Sequence, residues 1–315
     1  MTPGPGGDLR ERVRACVART GCITPGEPVV AMVSGGADST FLMHALAAVH
    51  DGAVSVLTCD HGLRPEAAGE CARVEAAADA LGLACTTVRL GLAPGPGVQE
   101  RAREARGAAA RAHAEAMGAT AVATGHTADD QAETVLMRLA RGAGSGGASG
   151  MAPRRGEMAR PLLDLRRAEI RGWCRARGLW FADDPSNDDP AYARVRARRL
   201  VGILEDVSPG AAGHLADFAE LARDEAAVVG AAADDAHARC AAPGGLDARR
   251  LAREPGCDCL SGAAVWAAFG RRDCWAIFSI STNLGLPRSC GKNSTLAMLG
   301  QTRPAPAGSV MILRR

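Results

Sequence analysis

The first candidate for chemistry is a short polar turn, SGGADS, at residues 34–39. It directly follows an apolar strand pattern at residues 28–33 and directly precedes a helical pattern at residues 38–49. Glycines let the backbone turn sharply and approach an anion closely, and the start of the next helix points free N–H groups at the same place. The turn therefore predicts a phosphate site in which Ser34 and Ser39 donate hydrogen bonds.

Asp38 lies in this turn, where its negative charge would repel a phosphate. A divalent cation that bridges carboxylate and phosphate removes the conflict and makes Asp38 a candidate metal ligand. The alternative is a plain glycine turn in which Asp38 or Ser39 caps the helix. A second glycine pattern, G-x-G-x-x-G at Gly142, Gly144 and Gly147, follows a helical pattern rather than a strand, so it does not predict a dinucleotide site.

Two further polar segments, CDHGLRP at residues 59–65 and GHTADDQAET at residues 125–134, each follow an apolar strand pattern. Open α/β sheets bind ligands at the carboxyl ends of their parallel strands, so both segments are expected to face the glycine turn. Histidine and carboxylates there could order a metal-bound nucleotide or exchange protons with a substrate amine. The alternatives are a polar turn for the first segment and helix capping for the second. The candidates are Asp60, His61, Arg64, His126, Asp129, Asp130 and Glu133.

Strand and helix patterns alternate through the first half of the chain, which predicts the elements that position these residues. Strands are predicted at residues 28–33, 54–59, 84–90 and 120–124, and helices at 38–49, 65–81, 98–117 and 129–140. Crossovers of this length join parallel strands, so the predicted fold class is α/β, an open, mostly parallel sheet with helices on both faces. A fifth strand is predicted at residues 160–165.

The second half of the chain is predicted to be mainly helical. Helices are expected at residues 167–177, 191–205 and 211–238, a flexible glycine-rich loop at 142–150, and a turn cluster at 183–189. From about Cys257 the periodicity is lost. The predicted organisation is a catalytic domain at 1–205, a helical segment at 206–250 and a divergent region of uncertain fold at 251–315.

Composition narrows the class of protein. The 315 residues contain no apolar run near the about 20 residues of a membrane span, and the 11 cysteines are scattered without a C-x-x-C pair, as expected for reduced thiols in the cytoplasm. The net charge is only +2, so a nucleic-acid surface requires local segregation of arginine. Nine arginines against three acidic residues lie between Arg141 and Arg177, and Arg194, Arg196 and Arg198 form a second cluster. These clusters predict an RNA-binding surface.

Six segments occur in the order typical of one family. They are SGGADS at 34–39, DHGLRPEAA at 60–68, VQERAREAR at 98–106, GHTADDQAETVLMRLARG at 125–142, RPLLDLRRAEI at 160–170 and DDPSNDD at 183–189. With them the chain resembles the PP-loop ATP pyrophosphatases, which are adenine nucleotide alpha-hydrolase-like in fold, and within them the branch that modifies isoleucine tRNA with lysine.

The resemblance implies an ATP- and Mg²⁺-dependent ligase. It would adenylate the wobble cytidine of an isoleucine tRNA with a CAU anticodon, and L-lysine would then displace AMP. The nucleotide would bind at Ser34, Gly35, Gly36, Asp38, Ser39, Asp60 and His61. The implied catalytic residues are Asp38, His126, Asp130 and Arg103, with Asp38 as metal ligand. The implied substrate-binding residues are Arg64, Asp129, Glu133, Arg138, Arg194 and Arg196.

The chain departs from the family pattern at three places. Gly107 follows Arg106 where the family usually has an aromatic residue, Val195 replaces an asparagine, and the family's C-terminal tRNA-binding domain is not recognisable after about Cys257. The C-terminal region that cannot be recognised has two open explanations, divergence of the sequence and a frameshift or gene-model error. The alternatives to the lysine ligase are a tRNA thiolase, an amidotransferase-type ligase, and a catalytically inactive nucleotide- or RNA-binding module. The sequence leaves the oligomeric state open, and a homodimer is compatible with it.

Overall fold

The computed structural model describes residues 8–62, 66–93, 95, 97–182, 193–242 and 245–246. The predicted turn cluster at 183–189, Arg64 and the region from 247 onward therefore lie outside the described residues. The chain divides into two compact units, one from residues 1–141 and 150–220, the other from residues 142–149 and 221–315. None of the helices in the described part of the chain is long and apolar enough to cross a membrane.

The first unit contains a six-stranded sheet with the strand order β3-β2-β1-β4-β6-β5. The strands are β1 (Val29–Met32), β2 (Val54–Asp60), β3 (Ala84–Arg89), β4 (Ala121–Ala123), β5 (Arg154–Arg155) and β6 (Met158–Ala159). All neighbours pair in parallel except β5 and β6, which are antiparallel. The mostly parallel sheet that the sequence predicts is confirmed, with its first four strands at the expected places.

The first unit begins with α1 (Leu9–Thr20), a helix that the sequence analysis did not predict. Its other helices match the predicted helical patterns to within two residues at each end. They are α2 (Ala37–Val49), α3 (Ala67–Ala80), α4 (Val98–Met117), α5 (Ala128–Leu139), α7 (Arg167–Ala176) and α8 (Ala193–Val207). Helix α9 (Ala211–Cys240) begins in the first unit and continues in the second, which also holds α6 (Ser145–Ala148), β7 (Ala241–Ala242) and β8 (Gly245–Leu246). The predicted glycine-rich loop thus contains the short helix α6.

Helices cover both faces of the sheet because successive strand residues point to opposite sides. Val29 and Ala31 of β1 join a core cluster filled by α1, α2, α3 and α7, whereas Val30 joins a cluster filled by α4. Helix α7 docks on α2 through an edge-to-face contact between Phe41 and Trp173, whose ring centroids are 5.0 Å apart. This contact brings the start of α7 next to the start of α2.

The predicted fifth strand at residues 160–165 is wrong. The strand is β6, which ends at Ala159, and the following residues form turns in which the Leu165 N–H donates to the Leu162 carbonyl. Pro161 has no N–H for a ladder, and the buried Leu162 and Leu165 are three residues apart, a spacing that suits a turn better than a strand. The Leu165 carbonyl then accepts from Ala128 N–H, which fixes the start of α5.

Candidate active site

The turn at residues 34–39 joins β1 to α2. Gly35 has a φ of +85°, a conformation that only glycine adopts without strain, and Ser39 Oγ ties the turn together by accepting from Ser34 N–H and donating to the Gly36 carbonyl. The N-cap of α2 is Gly36, and no described side chain caps this helix. The capping alternative for Asp38 and Ser39 is therefore wrong, and the first N–H groups of α2 remain available to an anion.

Asp38, at the second position of α2, has one carboxylate oxygen that could hold a cation. Its Oδ2 is 3.4 Å from Arg167 Nε, whereas its Oδ1 is buried and has no hydrogen-bond partner. Burial raises the pKa of Asp38 to about 6, although the nearby Arg167 charge opposes the shift. A hard cation suits such an oxygen, so the residues present fit Mg²⁺ with Asp38 as ligand.

The loop after β4 approaches the same place because Gly125 has no side chain. A Cβ on Gly125 would lie 3.0 Å from the Asp38 carbonyl carbon and 3.1 Å from Ser39 N. Helix α5 then begins with a capping box, in which Asp130 Oδ2 accepts from Thr127 N–H and Thr127 Oγ1 accepts from Asp130 N–H. Asp130 therefore caps the helix with one oxygen while Oδ1 points to basic side chains.

Arg167, the first residue of α7, connects three carboxylates with one guanidinium group. Its Nε lies 3.4 Å from Asp38, its Nη1 3.3 Å from Glu133 and its Nη2 2.9 Å from Asp130. Its backbone N–H also donates to Asp129 Oδ2 at 2.7 Å. The guanidinium thereby links the turn before α2 to the acidic side chains of α5.

Two arginines of α8 complete this network. Arg194 Nε and Arg198 Nε each donate to the Glu133 carboxylate, at 3.1 Å and 3.0 Å, and Arg194 Nη2 lies 3.4 Å from Asp130. Glu133 is 1% exposed, so its charge depends on these partners. Burial alone would raise the pKa of Asp130, but Arg167 and Arg194 outweigh burial and hold it below its ordinary value.

His126 lies beside this network, after β4. Burial lowers the pKa of His126 to about 4, so the ring is neutral near pH 7. Its Nδ1 is 2.8 Å from Thr124 Oγ1. A neutral imidazole in this position can accept a proton from a reacting group.

A cavity of about 1680 Å³ in the first unit brings many of the sequence-predicted residues together. Those that line it are Ser34, Gly36, Asp38, Ser39, His61, Arg103, His126, Asp130, Arg138 and Arg194. Five others, Gly35 among them, lie outside the lining. Asp60 accepts from Gly62 N–H, Asp129 binds Arg166, Glu133 is buried beneath the network, and Arg196 is exposed on α8. Gly35 packs against the Trp180 ring.

Sequence reasoning missed Arg160 and Arg167 as site residues, although both lie in a segment that matched the family. Both line the cavity. The available signal was their position: Arg160 directly follows the last parallel strand, β6, and Arg167 begins a helix that packs on α2. Charged residues at such positions point to the ligand edge of the sheet.

The fold and the turn at residues 34–39 define a PP-loop domain protein, and the family model described as "PP-loop domain" matches residues 11–204. A tRNA(Ile)-lysidine synthase from Methylobacterium sp. (strain 4-46) is 44% identical over 240 residues, which are 72% of this chain and 69% of the relative. The enzyme of the same name from Methylobacterium nodulans is 46% identical over 239 residues, 72% of this chain and 70% of the relative. The chain belongs to the tRNA(Ile)-lysidine synthase family of ATP-using ligases.

Other relatives match over a smaller share of their length. The tRNA(Ile)-lysidine synthase from Leifsonia xyli is 44% identical over 219 residues, 66% of this chain and 64% of the relative. Among solved structures, the U34-tRNA thiolase NcsA from Methanococcus maripaludis has a TM-score of 0.54 with 16% identity, covering 68% of this chain and 79% of the thiolase. The likeness to the thiolase extends to the fold alone.

Proposed function

We propose that this chain ligates L-lysine to the wobble cytidine of an isoleucine tRNA with a CAU anticodon. In the first step the base carbonyl oxygen of cytidine attacks the α-phosphorus of ATP, and pyrophosphate leaves. In the second step the lysine amine attacks the activated base carbon, AMP leaves with the oxygen, and lysidine remains. The thiolase alternative rests on likeness in fold only.

One feature of the site carries the proposal: a turn built for phosphate lies next to a set of buried carboxylates. The uncapped start of α2 and the Ser34 hydroxyl suit the phosphates of ATP. Asp130, joined to Asp38 by Arg167, lines the cavity and can accept a hydrogen bond from the amine of lysine, while Glu133 beneath it holds the surrounding arginines in place. A reaction that joins an activated nucleotide to an amine needs both at short range.

The residues of the chain have distinct roles in this proposal. The amine must arrive uncharged, because only a deprotonated amine is a nucleophile, and neutral His126 accepts the proton that it loses as it attacks the base. Asp130 stays ionised at neutral pH and orients that amine. Arg138, which donates to the Gly150 carbonyl at 2.7 Å, and Arg103 line the side of the cavity open to the RNA. Asp60 and Asp129 shape the loops around the cavity.

Mg²⁺ is proposed as the metal and Asp38 as its ligand, because the free Oδ1 is a hard oxygen donor. When bound, the ion neutralises phosphate charge and favours loss of pyrophosphate. We also propose that the enzyme works in the cytoplasm, where its tRNA and ATP are found. The homodimer stays a prediction, which sedimentation of the full chain would test.

The experiment that tests the function is incorporation of radiolabelled L-lysine into an isoleucine tRNA transcript with a CAU anticodon. The full chain should incorporate lysine with ATP and Mg²⁺, and release one pyrophosphate per lysine. A transcript with a GAU anticodon is the matched control and should take up none, because it has no cytidine at the wobble position. Folded protein that binds ATP but incorporates no lysine would leave the inactive nucleotide-binding module as the better description.

A further inference from the structure

Seven of the ten arginines that line the cavity fall into two groups according to their partners. Arg167, Arg194 and Arg198 each lie within 3.5 Å of a carboxylate of α2 or α5. Four others form no ion pair with any carboxylate in the described part of the chain. They are Arg103 and Arg106 of α4, Arg155 of β5 and Arg160 after β6, which we name the open arginine group.

The open arginine group is close enough for its members to act on one another. Burial lowers the pKa of Arg160, and the charges of Arg155 and Arg103 lower it further. Burial and the charge of Arg103 likewise lower the pKa of Arg106. Like charges held near each other repel, and an anion bound among them would relieve that repulsion.

Arg160 also has a buried N–H donor that lacks a hydrogen-bond partner. Its Nη1 donates to the Ala152 carbonyl at 2.7 Å, which fixes the side chain in the cavity wall. Its Nε is buried and has no partner. A buried donor without a partner opposes folding, and an anion in the cavity could accept its hydrogen bond.

We propose that the open arginine group binds a phosphodiester of the RNA substrate, next to the nucleotide that reacts. The inference rests on the proposed function and revises one of its expectations. The sequence predicted an RNA surface on two arginine clusters. Arg194 and Arg198 of the second cluster pair with buried carboxylates, whereas Arg155 and Arg160 of the first belong to the open arginine group, which lies on α4 and around β6.

Phosphate chemistry favours RNA over ATP as the source of this anion. Forked guanidinium groups on two different elements can grip several oxygens of one phosphodiester. The phosphates of ATP already have the turn at residues 34–39 and the start of α2. A second phosphate site, formed by the open arginine group, would hold the RNA so that its base reaches the space between this site and the turn at residues 34–39.

The experiment compares binding of the CAU transcript and of Mg²⁺·ATP to the full chain and its variants. The test variant is Arg103→Ala/Arg155→Ala, because both side chains are exposed and their loss should not disturb folding. Its charge-matched control is Arg10→Ala/Arg14→Ala, which removes two ion-paired arginines of α1 outside the cavity. Affinity is measured between 50 and 200 mM salt, since each lost phosphate contact reduces the slope of log K against log salt by about 1.

We expect the test variant to bind the transcript at least about tenfold more weakly at low salt, with a slope smaller by about 1, as for one lost phosphate contact. Its affinity for Mg²⁺·ATP should stay within twofold of the wild type, and the control should match the wild type throughout. An unchanged slope, or an equal loss in the control, would overturn the inference. A loss confined to Mg²⁺·ATP or to inhibition by pyrophosphate would also overturn it, because the anion would then come from the nucleotide. A wild type that binds no transcript would instead reject the proposed function.

Discussion

Arg167 is the side chain whose loss should affect both substrates at once. Its guanidinium reaches Asp38 on the ATP side and Asp130 and Glu133 on the amine side. We expect Arg167→Ala to raise the KM for ATP and the KM for L-lysine by about tenfold or more, since each charged hydrogen bond is worth about 1.5–3 kcal/mol. Steady-state lysine incorporation, with each substrate varied in turn, measures both values.

Two further variants separate the role of Arg167 from general instability. Arg167→Lys keeps one charge but cannot span three carboxylates, so it should restore only part of either KM. Arg14→Ala removes an exposed arginine paired with Glu11 and should leave both values unchanged. If Arg167→Ala raised only one KM, Arg167 would serve that substrate alone and the link between the two sides would be wrong.

His126 should make the protein sensitive to acid. Its pKa is about 4 in the folded protein against 6.5 ordinarily, because burial disfavours the charged ring. Between these values the unfolded chain binds a proton that the folded chain does not, so the free energy of unfolding falls as the pH falls from 6.5 to 4. The loss attributable to His126 is at most about 3 kcal/mol.

The variant His126→Asn isolates this contribution because asparagine does not titrate. Urea unfolding at pH 7 and pH 4.5 should give a smaller loss of stability for the variant than for the wild type, by about 2 kcal/mol. Other titrating groups are the same in both proteins and cancel in the difference. Equal losses would mean that the folded protein accepts a proton on His126 at its ordinary pKa.

At the residue scale the sequence predicted the acidic members of the site better than their partners. Asp38, Asp130 and His126 stand out because they directly follow strand patterns that are apolar and buried. Arg167 lies 129 residues after Asp38, and no local pattern connects the two. Glu133 shares a helix face with Asp130, as its spacing predicts, but the packing of α8 against α5 buries it.

At the element scale, the close approach of the β4–α5 loop to α2 depends on one missing side chain. Gly125→Ala would place a Cβ 3.0 Å from the Asp38 backbone, which cannot move without shifting the phosphate turn. We expect a loss of about 1–3 kcal/mol in stability, the usual cost of overpacking, together with weaker binding of Mg²⁺·ATP. Urea unfolding and calorimetric titration measure the two effects.

Gly172→Ala is the matched control for that substitution. Gly172 lies within α7, and a Cβ there would meet no atom within 4 Å. Replacing a glycine inside a helix should stabilise the protein by up to about 1 kcal/mol and leave ATP binding unchanged. Similar behaviour of the two alanine variants would show that the close approach at Gly125 is unimportant.

Helices and strands could be predicted from the sequence where their buried apolar residues recur at a regular spacing. Strands β1, β2 and β4 are apolar because helices cover both faces of the sheet. The helices α5 and α7 are equally easy to predict, because their apolar residues lie on one face. The segment at residues 160–165 has the same apolar composition but forms turns, because Pro161 and long-range packing decide its backbone. Composition alone does not separate a short buried strand from a buried turn.

At the scale of the whole molecule, the net charge of +2 conceals how charge is distributed in the cavity. Acidic side chains of α2 and α5 form ion pairs with arginines of α7 and α8, whereas the open arginine group lines the cavity on other elements, α4, β5 and the residue after β6. The sequence predicted local segregation from the arginine-rich segments. It could not separate paired from unpaired arginines, because the pairs connect residues distant along the chain.

Binding of nucleotide and metal should stabilise the whole protein against heat. A ligand present at 100 times its Kd adds about 2.7 kcal/mol, which raises the Tm of a protein of this size by about 4 °C. We expect that rise with ATP and Mg²⁺ together and a clearly smaller one with ATP and a chelator, since Asp38 Oδ1 has no hydrogen-bond partner in the described residues and can coordinate the ion. Asp38→Asn should bind ATP with little dependence on Mg²⁺, because its amide is a poor metal ligand. Equal Tm rises with and without Mg²⁺ in the wild type would remove Asp38 as the metal ligand.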